Sequence, residues 1–379
     1  MSTTGHHRCW AEIDLAALER NLVSIRSKLP RGIRYVAVVK ADAYGHGVHP
    51  TVSRLMQANA DAFAVANVEE GARLQEIAKG WPILVLGAVL PEEEGALVQL
   101  GLTATVSSIE EVSRFSSAAT RIGKDLDVHV KIDTGMGRLG VWHEEAKELF
   151  DAVSARDNLR LRGIYTHYSD ATGSEEFTRE QKDRFLKALE SVERKDDREL
   201  LIHADNSAGT EAFDRASPFN AVRVGLLQFG VNQYSSTLLE SVRTEPVFRF
   251  VTRIGLTKTL PPNTPISYGR TFTTEKATKV AILTAGYGDG IPTAASNRGK
   301  VLIQGAICPI LGRVTMDQVI VDVSSLEKVE VGENAVLIGR DGNQEITVSE
   351  FSEWTDSIPW EVFCSVTKRV PRVYRTNRV

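Results

Sequence analysis

Lys40 is the first residue whose setting asks for a chemical explanation. It closes the apolar run IRYVAVVK, Ile33 to Lys40, and is followed by ADAYGHG, a small and flexible segment rather than a charged one. Two readings are open. The aliphatic stem can snorkel along apolar surface and carry the amine to water. Alternatively, desolvation and nearby cations keep part of the amine neutral, the condition for attack on an aldehyde and a Schiff-base link. Other polar residues occupy the same kind of place: Lys131 and Asp133 end DVHVKID, His167 ends RGIYTH, Asn206 and Ser207 follow LLIHAD, and Arg223 lies in AVRVGL. Ser207 with His203 and Asp205 has the residue types of a nucleophilic triad. No G-x-S-x-G elbow surrounds it, however, and strand neighbours point to alternating faces, so a hydrolase is set aside.

The runs that carry these residues recur. With Ile33 to Lys40 come AFAVA from Ala62, ILVLG from Ile83, TATV from Thr103, DVHVKID from Asp127, RGIYTH from Arg162, LLIHAD from Leu200 and AVRVGL from Ala221. Helical patterns such as VEEGARLQEIAKG and EEAKELFDAVSA lie between them. Ahead of the first run, Asp14 is a candidate N-cap for a helix with Leu15, Leu18, Leu22, Ile25 and Leu29 on one face. Strands alternating with helices imply βαβ units, and eight of them predict an α/β fold, a (β/α)8 TIM barrel over residues 12–243. Such barrels place their chemistry at the C-terminal ends of the strands, where Lys40, Lys131, His167, Ser207 and Arg223 all fall. Past Thr244 the segments FRFVTRIGLTKT, TKVAILTA, KVLIQ, QVIVDVS and AVLIG alternate without long helices, interrupted by the helix-like VSEFSEW from Val348. They predict a mostly β C-terminal domain over 244–379, joined by the N-terminal segment 1–11.

Composition narrows the class. The chain has 379 residues, 42% hydrophobic and 25% charged, the balance of a globular protein. A formal net charge of -4 gives no attraction to nucleic acid or to an anionic membrane. The longest apolar stretch, Trp81 to Leu90, is far short of the ~20 residues of a membrane-spanning helix. No secretory signal pattern opens the sequence, and Cys9, Cys308 and Cys364 are too scattered for a disulfide framework or a zinc knuckle. Free thiols, no metal and a cytoplasmic location are the expectations.

The segment AVVKADAYGHG, Ala37 to Gly47, resembles the cofactor-binding motif of the alanine racemase family. Further blocks resemble that family in order along the chain: KIDTGMGRLG from Lys131, YTHYS from Tyr165, HADNSAG from His203, VRVG from Val222, ISYGRTF from Ile266, AGYGDG from Ala285, ILGRVTMDQ from Ile310 and KRVPRVY from Lys368. The resemblance implies an enzyme that interconverts L- and D-alanine on pyridoxal 5'-phosphate and supplies D-alanine for cell-wall peptidoglycan. Lys40 would form the Schiff base. Tyr44, Ser207, Gly225 and Leu226 would hold the phosphate, and Arg223 would face the pyridine nitrogen. Arg138 and Met316 would meet the substrate, Lys131 would be open to carbamylation, and Tyr268, assisted by His167, would act as second base. In the family this tyrosine comes from the partner subunit, so a homodimer with shared active sites is implied.

Departures from the family pattern bear on the site. Trp360, in SIPWEVF, stands where a phosphate-binding tyrosine is common; an indole N–H can donate one bond but has no hydroxyl. Ile291 and Thr293 replace the usual tyrosine and arginine, and Thr315 replaces a common cysteine, on the second-domain face of the site. A broader racemase acting on serine or basic amino acids is the competing enzyme, and a non-catalytic pyridoxal-phosphate carrier is the competitor from another class. No block resembles the cysteine-bearing substrate motif of the fold-related decarboxylases.

Overall fold

Asp14 caps the first helix as its sequence suggests. Its carboxylate accepts the N–H of Ala17 at 2.8 Å, and the helix Leu15–Lys28 follows with Leu15, Leu18, Leu22 and Ile25 buried. The computed structural model describes residues 7–171, 173–192, 200–204, 218–232 and 242–376. Eight parallel strands come next: Arg34–Val38, Ala62–Val65, Ile83–Val85, Thr103–Val106, Leu126–Asp133, Leu159–Tyr165, Leu201–His203 and Ala221–Val224. Each of the first seven pairs with its neighbours in sequence order, and Ala221–Val224 pairs back onto Arg34–Val38. The sheet is a nearly closed (β/α)8 barrel. Its strands are apolar on both faces because one side packs the barrel interior and the other the surrounding helices. Three of those helices follow N-caps, Asn67, Ser108 and Ser174, whose side chains each accept a backbone N–H of the first turn.

Asn220 bridges the backbones at the seam between Leu201–His203 and Ala221–Val224. Asn220 donates its backbone N–H to the Ile202 carbonyl at 3.0 Å. Its side-chain oxygen accepts the Ile202 N–H at 2.8 Å, and its amide nitrogen donates to the Leu200 carbonyl at 2.8 Å. The asparagine amide thus reproduces the donor and acceptor that a ladder neighbour would offer.

The second layer of architecture is β-rich. The long strand Phe248–Leu260 pairs antiparallel with Thr278–Leu283, Asn334–Asp341 and Cys9–Asp14, and Arg372–Arg375 pairs parallel with Cys9–Asp14. The strand Cys9–Asp14 thus runs directly into the helix Leu15–Lys28. The helix-like VSEFSEW is a helix, Val348–Trp354, with Thr347 and Glu350 forming a capping box. A further helix, Pro359–Ser365, was not anticipated; it carries Trp360 and begins with proline in its first turn.

Replacing Asn220 by alanine strands the Ile202 N–H and the Leu200 carbonyl. Asn220→Ala is expected to lower the unfolding free energy by about 2 kcal/mol, read as a lower urea midpoint. An unchanged midpoint would show that the seam is held by other contacts.

Candidate active site

Lys40 opens a turn of unusual hand. Ala41, Asp42, Ala43 and Tyr44 have φ of 53°, 55°, 55° and 52°, a left-handed run that costs L-residues about 1–2 kcal/mol each. Neighbouring groups hold it in place. The Glu70 carboxylate accepts the N–H of Ala41 at 2.7 Å and of Ala66 at 2.8 Å, and Asp42 accepts the N–H of Val48 at 2.8 Å. Gly45 continues at positive φ and lies against the Phe363 carbonyl, where a Cβ would come within 2.4 Å of the oxygen. Arg372 completes the clamp, donating to the carbonyls of Gly45, Val366, Thr367 and Val370. The lysine loop is thereby fastened to the end of the helix Pro359–Ser365.

Lys40 and Tyr44 face a cavity of about 740 Å³ at the C-terminal ends of the barrel strands. Lys131, Arg138, His167, Arg223, Gly225, Leu226 and Trp360 line the same space. Arg223 is buried and its guanidinium is fully engaged at one edge. It donates to the carbonyls of Thr166, His203 and Ala204 and lies 2.6 Å from His203 Nδ1 and 3.3 Å from His167 Nδ1. Because arginine has only donors, both ring nitrogens facing it accept. His203 Nε2 then carries the hydrogen, and it lies 3.0 Å from His129 Nδ1.

Arg138 reaches the cavity on a loop organised by one carboxylate. Asp133 Oδ1 accepts the N–H groups of Gly135, Met136 and Gly137, and Oδ2 accepts that of Arg138. Burial alone would raise the Asp133 pKa, but these bonds hold it below the usual value. Burial, then the charge of Arg138, lowers the Lys40 amine. Burial, then Arg138 and Arg223, brings Lys131 down to about 8. Cations outnumber anions in this space, and an anionic ligand is what the electrostatics favour.

Two family models match the chain: the alanine racemase N-terminal domain over residues 13–233 and its C-terminal domain over residues 247–374. The chain belongs to the alanine racemase family. An alanine racemase from Halothermothrix orenii is 38% identical over 369 residues, covering 97% of each chain. The solved alanine racemase of Clostridium difficile 630 superposes with a TM-score of 0.91 at 30% identity, covering 98% of this chain and 97% of that one. An alanine racemase from Bartonella henselae, solved with covalently bound pyridoxal phosphate, superposes with a TM-score of 0.86 at 25% identity, covering 97% of this chain and 100% of its own.

Among the residues that the alanine racemase resemblance singles out, Lys40, Tyr44, Lys131, Arg138, His167, Arg223, Gly225, Leu226 and Trp360 meet in the cavity. Ser207 lies outside the described residues. Tyr268 and Met316 do not line it: they are 72% and 51% exposed, on second-domain loops tied together through Ser267–Arg313 and Gly288–Met316 hydrogen bonds. Of the three departures on that face, Ile291 is core rather than rim, being fully buried, whereas Thr293 is exposed and Thr315 donates its hydroxyl to the Gln318 carbonyl. Tyr165 was missed. Its ring stacks on His203 and lies 5.1 Å from the Arg223 guanidinium carbon and 5.6 Å from Lys131 Nζ, a cation–π platform under both charges. Being one apolar residue in a strand, it had no signal of its own. Asp133 did have one: an aspartate before T-G-M-G is a turn signature.

Four imidazoles are held neutral. Burial is the first cause, with Arg223 second for three of them: His129 and His167 are pushed to about 3 and His203 well below its usual value, while His46 is pushed to about 4. The unfolded chain protonates these rings below about pH 6.5 and the folded chain does not. The unfolded state therefore binds more protons in that window, and stability must fall as the pH drops from about 6.5 toward about 4. Urea melts at a series of pH values test this, and a flat stability between about pH 7 and 5 would contradict it.

Proposed function

We propose that this chain interconverts L- and D-alanine with pyridoxal 5'-phosphate as cofactor, acting as a cytoplasmic homodimer. The observation that carries the reading is the convergence of Lys40, Arg138 and Arg223 with Tyr44, Gly225 and Leu226 on one cavity. These residues fit the cofactor. A Cβ on Gly225 would come within 3.0 Å of the Tyr44 hydroxyl, so a larger residue there would crowd the space that this hydroxyl shares with the turn Leu226–Phe229. Leading N–H groups of such a turn lack intrahelical acceptors. Trp360 lines the same cavity and carries one indole N–H that could serve as a donor.

When bound, pyridoxal phosphate supplies an aldehyde for Lys40 and an electron sink that acidifies the α-hydrogen of an amino acid. The protein's residues do the rest. Arg223 would present a permanent positive charge to the ring nitrogen, and an arginine there would disfavour protonation of that nitrogen and temper the sink. The Arg138 fork orients the substrate carboxylate. Lys131, with its lowered pKa, has neutral amine available for carbamylation, which would turn a repelling cation beside Arg138 into an anion. Lys40 Nζ accepts and returns the proton on the D face. The opposite face needs its own base, and the Tyr268 hydroxyl of a partner subunit, near His167, is the candidate. The exposed cluster of Tyr268, Tyr287 and Met316 supports a surface that a second copy covers. The same reading divides the chain into a barrel, 12–243, and a β domain, 244–379, joined by 1–11. The three free cysteines support the cytoplasmic location.

Chiral chromatography after incubation with a panel of L-amino acids tests the function: D-alanine should accumulate, and Lys40→Ala should abolish it. Hydride reduction should attach the cofactor at Lys40. Turnover of no amino acid, or an adduct on another lysine, would overturn the reading.

Tyr268→Phe should slow racemisation in both directions by about two orders of magnitude or more, because the overall equilibrium is fixed. Exchange of the α-hydrogen with heavy water should survive better for D-alanine than for L-alanine, since Lys40 still faces the D-side proton. Equal loss of exchange for both enantiomers would show that Tyr268 is not the L-side base.

A further inference from the structure

His46 is fully buried, and no step of the chemistry above uses it. Its Nδ1 lies 2.9 Å from the Tyr44 carbonyl oxygen and 3.0 Å from that of Ala43. Two carbonyls facing one ring nitrogen fix the tautomer, because only an N–H can meet them. The hydrogen is on Nδ1. Nε2 then keeps a lone pair, and it has no hydrogen-bond partner among the described residues. The ring is boxed by aromatics: it stacks on Phe229 at 4.2 Å between centroids and meets Phe363 at 4.8 Å and Phe248 at 5.4 Å edge to face. A phenylalanine would fill such a box without stranding a nitrogen. What the imidazole adds is the Nδ1 donor.

The contacts of His46 lead to three walls of the cavity's phosphate end. Ala43 and Tyr44 finish the left-handed turn. Phe229 is the last residue of the turn Leu226–Phe229, whose first residue lines the cavity beside Gly225. Phe363 lies in the helix Pro359–Ser365, which also carries Trp360. Burial holds the His46 pKa down to about 4, so the ring stays neutral and its tautomer stays fixed at neutral pH.

We propose that His46 is the positioning residue of the phosphate end of the site: its Nδ1–H holds the Ala43–Tyr44 backbone in its left-handed conformation, so that the Tyr44 hydroxyl meets Gly225 and Leu226 across one cradle. This rests on the reading of the cavity as a pyridoxal-phosphate site. His46 acts through Tyr44 and touches no ligand.

The test is fluorescence titration of the full-length chain, freed of cofactor, with pyridoxal phosphate and with pyridoxal, which lacks the phosphate. In His46→Phe, which keeps a ring and drops the donor, affinity for pyridoxal phosphate falls about tenfold while that for pyridoxal stays within about twofold. His46→Asn, whose amide N–H takes the place of Nδ1–H, recovers most of the loss. In a Tyr44→Phe background, His46→Phe costs little more, as expected of two residues acting on one contact. A folded His46→Phe with the parent's preference for the phosphate, an equal loss for both ligands, or a full additional loss on top of Tyr44→Phe would overturn the proposal. Should His46→Phe fail to fold by circular dichroism, His46→Leu against His46→Asn makes the same comparison. A parent chain that binds no pyridoxal phosphate would overturn the cofactor reading and this proposal together, a result distinct from a variant that matches a binding parent.

Discussion

Lys40, Lys131, Arg138 and Arg223 share one cavity, brought there by three strands and the loops after them. Like charges in a partly desolvated space repel, and two responses to that repulsion are visible in the structure. The lysines can release their protons more readily, burial and then the neighbouring cations having lowered the pKa of both. The arginines cannot, so Arg223 is surrounded by three carbonyls and two imidazole lone pairs. Burial keeps His167 and His203 neutral and that arrangement adds to it, since a protonated ring would face the guanidinium with a second cation. The pocket is therefore built around excess positive charge that a phosphate and a carboxylate would neutralise.

Much of this was legible in the sequence, and for a physical reason. Strands buried on both faces must be short and continuously apolar, so IRYVAVV, AFAV and ILV stand out, and a polar residue at the end of such a run has nowhere to go but the barrel rim. Lys40, Lys131, His167 and Arg223 were found that way. The left-handed turn after Lys40 was not, because Ala, Asp and Ala have no intrinsic preference for positive φ. Glu70, Arg372 and His46 hold that conformation through bonds spanning 29, 327 and 2 residues, a spread that no local pattern encodes. Trp360 was recognised by its place in a motif, while the seven-residue helix that aims it was too short to show a period.

The second domain contributes to the cavity less by lining it than by bracing it. Arg372 and the carbonyl of Phe363 press on the lysine loop from the C-terminal side, and Gly45 is the point of closest approach. The loops bearing Tyr268, Tyr287 and Met316 face outward instead. One chain thus braces its own lysine loop, while Tyr268 and Tyr287 are displayed to the outside.

The strand Cys9–Asp14 sits between Phe248–Leu260 and Arg372–Arg375, neither of which is near it in sequence. During synthesis it leaves the ribosome first among the described strands and waits for both partners while the whole barrel is made. Until then its edges are open, and an unpaired strand is a template for wrong pairing. Trp10, Ala11 and Ile13, all fully buried in the finished sheet, would be exposed over that interval. The barrel can close early from contacts between successive strands, whereas the second sheet, and with it the bracing of the lysine loop, must come last. A fully braced cavity would then arrive only at the end of folding, after the barrel residues that line it have long been in place.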